Sequence, residues 1–101
     1  MKTLVIVARD SMLTELEELL HKNGVKAYTI VSNATGKGIM GKVYGTFLHL
    51  GLNTTIVAVL PPDEADRSIN ALKTLHRRRN DAAHGQPIPL KVYSFPSDEH
   101  V

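Results

Sequence analysis

Apolar positions along the chain fall either into short dense runs or into stripes spaced like one face of a helix. Leu4-Val5-Ile6-Val7-Ala8 is unbroken and rich in β-branched residues, which predicts a buried strand. Asp10 and Ser11 follow as candidate N-caps, and Leu13, Leu16 and Leu20 then recur at helical spacing, with Leu19 widening the stripe. Glu15, Glu17 and Glu18 suit the positive end of that helix, and Asn23-Gly24 supplies its stop. Val25 to Val31 predicts a second strand, Thr54 to Leu60 a third, and Leu90 to Phe95 a fourth, ended by Pro96. Pro61-Pro62-Asp63 opens a second helix, with Asp63 its expected cap and Ala65, Ile69, Leu72 and Leu75 its buried face. That helix is expected to run out near Arg77-Arg78-Arg79, cations at its negative end, leaving Asn80 to Pro89 as a loop.

The order β-α-β-β-α-β folds most simply as an α+β, ferredoxin-like domain, an antiparallel sheet of four strands with both helices on one face. Right-handed crossovers place the first and third strands side by side in its centre. A sheet covered on one side only should alternate apolar and polar residues. The first strand does not: Val5 and Val7 point one way while Leu4, Ile6 and Ala8 point the other. Ile56-Val57-Ala58-Val59-Leu60 repeats the pattern. Either central strands are simply apolar, or the second face is buried against sister subunits; the prevalence of closed assemblies of one chain favours burial.

Composition narrows the class. A length of 101 residues suits a single domain over residues 1–101. With 12 Lys+Arg against 10 Asp+Glu the net charge is +2, too mild an excess to point to nucleic acid. The absence of cysteine excludes a disulfide framework and thiolate–metal sites and suits a reducing, cytoplasmic setting. The apolar run after Met1-Lys2-Thr3 is too short for a secretory segment, and no stretch approaches the roughly 18 apolar residues of a membrane span.

Five of the seven glycines lie between Gly36 and Gly51, which argues for a mobile or ligand-shaped loop rather than a regular element. Gly36-Lys37-Gly38-Ile39-Met40-Gly41 has the spelling of a dinucleotide fingerprint, but Lys42-Val43-Tyr44-Gly45-Thr46-Phe47 is poor material for the helix that fingerprint requires. The physical content that remains is an anion site: glycine amides can approach a phosphate closely, and Lys37 adds a point charge. His21, His49, His76, His84 and His100 form no pair at metal-ligand spacing. Arg77-Arg78-Arg79 reads as a solvated helix end or as a surface for an acidic partner. No Ser/His/Asp order, carboxylate pair or zinc-hydrolase motif stands out, so the chain is not read as an enzyme.

Several segments together resemble the PII signalling superfamily, the nitrogen regulatory proteins. Gly24-Val25-Lys26-Ala27-Tyr28-Thr29-Ile30-Val31 is similar to the family's second strand, whose threonine contacts adenine. Thr35-Gly36-Lys37-Gly38 resembles the Gly-Lys-Gly start of the loop in PII-like proteins that partner bicarbonate transporters. Lys42-Val43-Tyr44-Gly45 resembles part of the effector loop, and Val57-Ala58-Val59-Leu60-Pro61-Pro62-Asp63 the Val-Val-Val-Pro-Asp junction into the second helix. Lys91-Val92-Tyr93-Ser94-Phe95 resembles the last-strand segment whose lysine meets phosphate.

The resemblance implies a homotrimer that binds an adenine nucleotide between subunits and regulates a membrane transporter or an assimilation enzyme through the loop after the second strand. It requires no further cofactor and no metal. Thr29 would contact the base, Gly36, Lys37 and Gly38 would lie along the phosphates, and Lys91 would add a phosphate contact. Met40, Tyr44 and Phe47 would sit in the effector loop, over about residues 36–51. Two departures bear on the ligand. Ile88-Pro89-Leu90 stands where the family has a Gly-Asp-Gly turn, and no counterpart of the family's triphosphate-binding arginines is found up to Val101. AMP or ADP is therefore expected rather than ATP. The alternative is an oligomeric adaptor or metal-binding module of the same fold, without nucleotide, that uses His49, His76 or His84.

Overall fold

The computed structural model describes residues 1–34, 36–38, 41–43, 53–83 and 88–101. The chain runs through β1 (Lys2–Arg9), a 3-10 turn (Asp10–Met12), α1 (Leu13–Lys22), β2 (Thr29–Ala34), β3 (Gly36–Gly38), β4 (Gly41–Val43), β5 (Asn53–Leu60), α2 (Pro62–Ala82) and β6 (Leu90–Pro96). Four of the strands form one antiparallel sheet in the order β2-β5-β1-β6, the ferredoxin-like arrangement expected from the sequence, with β1 and β5 central.

Register explains the core. Ile30, Ile56, Ile6 and Val92 form one row across the sheet, with Leu4 opposite Ala58 and Ser94, and Ala8 opposite Thr54 and Leu90. All these side chains share one face because side chains alternate along a strand. Against them pack Leu16 and Leu20 of α1 and Ala65, Leu72 and Leu75 of α2, all buried. The helices run antiparallel and are tied at both ends. Arg79 of α2 pairs with Glu15 of α1, and Arg67 donates from Nη2 to the Asn23 carbonyl over 3.3 Å.

The second strand begins later than its composition suggested, at Thr29 rather than Val25. The cause is the end of α1. Gly24 adopts φ +88°, its amide donates to the His21 carbonyl over 3.1 Å, and the Val25 amide donates to the Leu20 carbonyl over 3.0 Å. These two bonds make a Schellman closure, in which the side chains of Val25 and Leu20 both enter the core. Val25 is thus an apolar stop for the helix, and its amide is not free for a sheet.

The helix starts also differ from expectation. Asp10 and Ser11 lie in the 3-10 turn, and α1 begins at Leu13 without a side-chain cap. Asp63 does not cap α2; the helix begins one residue earlier at Pro62, whose missing N–H costs nothing in a first turn. Asp63 instead faces Arg67 at 3.6 Å, one turn on. At its far end α2 continues through Asn80 to Ala82, since no glycine or proline interrupts it there. The glycine-rich segment, expected to be irregular, includes a short hairpin with Gly36 opposite Val43, Lys37 opposite Lys42 and Gly38 opposite Gly41. A ladder needs only backbone N–H and C=O groups, and glycine carries both.

Gly24→Ala should destabilise the protein by about 1–2 kcal/mol, the cost of a left-handed backbone for a residue with a Cβ. The nearest atom to such a Cβ would be Arg67 Nη2 at 3.5 Å, an ordinary contact, so the penalty is conformational rather than steric. Urea denaturation of the two proteins measures it.

Candidate functional site

The face of the sheet away from the helices is built from three rows. Thr29, Val57, Val5 and Tyr93 form the first, Val31, Thr55, Val7 and Lys91 the second, and Val59, Thr3 and Phe95 the third. Val31, Val59, Tyr93 and Phe95 are 44% to 57% exposed, unusual for large apolar side chains sharing one face of a sheet. Both faces of the central strands are therefore apolar, and among the described residues only one is covered by the helices.

Two of the sequence-derived site residues lie on this open face. Thr29 is on β2 and Lys91 on β6, the two edge strands, and both side chains are exposed. With about 4.8 Å between neighbouring strands, the three steps from β2 to β6 separate them by at least about 14 Å. One copy of the chain does not bring them together. Gly36, Lys37 and Gly38 form β3, directly after the Thr29 strand. Met40, Tyr44 and Phe47 lie outside the described residues, as do His49 and His84. Among the described residues no group of three or more metal-ligating side chains converges.

Two clefts flank the sheet. One, of about 360 Å³, lies where the chain before β2 stands away from β5, and is lined by Gly24, Lys26, Val59, Pro61 and Glu64 among others. The other, of about 330 Å³, runs between α2 and the outer edge of β6. Ile69 and Leu72 supply its apolar wall, with Leu90 and Val92 opposite; Lys73, His76, Lys91, Tyr93 and Ser94 are its charged or hydrogen-bonding members. Lys73 was not singled out from sequence, and His76 was weighed only as a metal ligand. Their signal was legible in part: Ile69, Leu72, Lys73 and His76 fall at i, i+3, i+4 and i+7, one helix face that begins apolar and ends cationic.

A model of the family described as nitrogen regulatory protein P-II matches residues 1–91. The chain belongs to the P-II family. Among solved structures, its fold is similar to that of CPII, a nitrogen regulatory PII-like protein from Thiomonas intermedia K12 bound to ADP, AMP and bicarbonate. The TM-score is 0.67 at 24% identity, over 93% of this chain and 84% of that one. The apo form of CPII gives a TM-score of 0.64 at 22% identity, covering 93% and 85% of the two chains. A PII-like signalling protein from Thermus thermophilus gives 0.56 at 18% identity, covering 93% and 83%. At these identities the likeness to the solved structures is one of fold. No curated protein matches the sequence. The open apolar face and the separated edge residues are accordingly features of a P-II domain, and among its described residues no helix is long and apolar enough to cross a membrane.

Proposed function

We propose that this P-II family chain is a homotrimeric regulator that binds an adenine nucleotide between subunits, AMP or ADP in preference to ATP. It acts on a partner protein, a transporter or an assimilation enzyme, through the segment over residues 36–51. The observation that carries the reading is the position of Thr29 and Lys91 on one face but on opposite edges of the sheet. A ligand that uses a threonine for its base and a lysine for its phosphate is served by the β2 edge of one copy beside the β6 edge of the next. Burial of the open face between copies brings such edges together and removes Val31, Val59, Tyr93 and Phe95 from water. A head-to-tail contact of this kind closes into a ring. The ADP and AMP bound by CPII support the choice of ligand.

Light scattering coupled to gel filtration should give three times the chain mass of 11.1 kDa, and a monomer would overturn the reading. Val57→Glu, in the middle of the open face, should abolish assembly because it buries an unpaired charge. Calorimetry with AMP, ADP and ATP should rank the first two above the third. Lys37→Ala should weaken ADP binding about tenfold to a hundredfold, the equivalent of losing one charge-assisted contact. Thr29→Val should reduce the preference for adenine over guanine while leaving the salt dependence of binding unchanged.

A further inference from the structure

α2 is longer than the strands it covers. Its 21 residues rise about 31 Å, against about 27 Å for the 8 residues of β5. Leu75 is its last buried side chain, and every residue from His76 to Ala82 is exposed. Two turns of helix thus stand clear of the core. Short helical turns without a packed face are marginal in water. Among the described residues their one ion pair to another element is that of Arg79 with Glu15 of α1.

Charge is divided along the same helix. Asp63, Glu64 and Asp66 lie near its start, and Asp63 and Asp66 are paired with Arg67 and Lys2. After Arg67 the helix carries Lys73, Arg77, Arg78 and Arg79 against a single carboxylate, Asp81. Lys73, Arg77 and Arg78 are exposed, and among the described residues none of them has an ion-pair partner. The helix dipole favours a cation in the last turn, which accounts for Arg79 but not for the three before it. Lys73 and Arg77 even stand one turn apart, a like-charge spacing that weakens a helix.

The position of this end matters. Ala34, the last residue of β2, is opposite Asn53, as is Arg9, and the neighbouring Ala8 is opposite Leu90. α2 starts at the other end of the sheet, where Lys2 is opposite Leu60 and pairs with Asp66, and it runs back towards Leu90. The cationic turns and the exit of the chain from β2 therefore share one end of the sheet. Residues 36–51 follow directly from that exit. A guanidinium fork matches a carboxylate, and Arg79 already holds one borne by another helix. Residues 76–82 include no large apolar side chain to insert beneath lipid headgroups, which favours a protein surface over a membrane.

We propose that this end of α2 is a second docking contact for the regulated partner. It takes an acidic segment of that partner, whose Asp or Glu carboxylates pair with Lys73, Arg77 and Arg78. The inference rests on the reading of the chain as a regulator acting through residues 36–51, and adds the chemistry of the partner's surface.

The test is a titration of the full chain, with ADP present, by a short synthetic peptide of alternating Asp and Glu, read from amide chemical shifts. The matching Asn/Gln peptide and vesicles of phosphatidylserine and phosphatidylcholine are the comparisons. The acidic peptide should shift the amides of residues 73–82, and the neutral one should not. Arg77→Ala/Arg78→Ala should weaken acidic-peptide binding about fivefold to tenfold, as expected for exposed charge contacts, while Lys22→Ala at the far end of the sheet should not. Alanine is the strongest helix former, so the double variant keeps its helix, and far-UV circular dichroism verifies this. Unchanged affinity in the double variant, or shifts confined to residues 37, 42 and 91, overturns the inference. Shifts at residues 73–82 with vesicles but not with the peptide also overturn it and assign the surface to lipid. Calorimetry with ADP on the same sample judges the reading beneath. If wild type binds ADP and the peptide leaves residues 73–82 unmoved, only this inference falls. If wild type binds no adenine nucleotide, that reading falls, and the peptide titration alone decides whether the helix end takes carboxylates.

Discussion

Two helices can cover only one face of a four-stranded sheet, yet β1 and β5 carry apolar side chains on both. Leu4, Ile6, Ala8, Ile56 and Ala58 enter the helix-covered core, while Val5, Val7, Val57 and Val59 are left on the other side. At about 25 cal/mol per Å² of apolar surface, a face of this kind is a standing drive towards association. The proposed assembly descends from that imbalance. In the proposed trimer it directs copies of the chain towards one another and makes the edges of the sheet, rather than its middle, the place where residues of different copies meet.

The proposed site residues lie on these edges. Thr29 is on one edge strand and Lys91 on the other, with β3 following directly from the first. The β6 edge has α2 beside it, and that helix serves two purposes along a single stripe. Ile69 and Leu72 pack towards the core, and Lys73 and His76 continue the same face into the cleft. The antiparallel clamp of α1 on α2, through Glu15–Arg79 at one end and Asn23–Arg67 at the other, fixes how far α2 lies over β6. Each such exposed contact contributes modestly, but two at opposite ends constrain rotation of one helix against the other.

Membership of the P-II family and likeness to CPII give the frame, and the departures give the chain its own character. Ile88-Pro89-Leu90 withdraws backbone donors from the start of β6, through the absent N–H of Pro89 and the Leu90 amide turned onto Ile88. A phosphate site built here leans on side-chain charge rather than on a cradle of amides. Side-chain charge at an exposed cleft is sensitive to ionic strength in a way that a backbone cradle is not.

The amino-acid sequence alone determined the element order, the central pair of strands and the double apolarity of β1 and β5, because side-chain alternation is a local property readable at Leu4 to Ala8 and Ile56 to Leu60. It placed Thr29 and Lys91 on the second and last strands for the same reason. It misjudged boundaries wherever a backbone group had a competing partner: Val25 looks like strand but spends its amide closing α1, and Asp63 looks like a cap but follows a helix begun by Pro62. Spacing along one segment says nothing of what a different segment lays beside it. Only the tertiary structure laid Lys73 and His76 beside the outer edge of β6, because helix crossing is fixed by packing between elements distant in the chain.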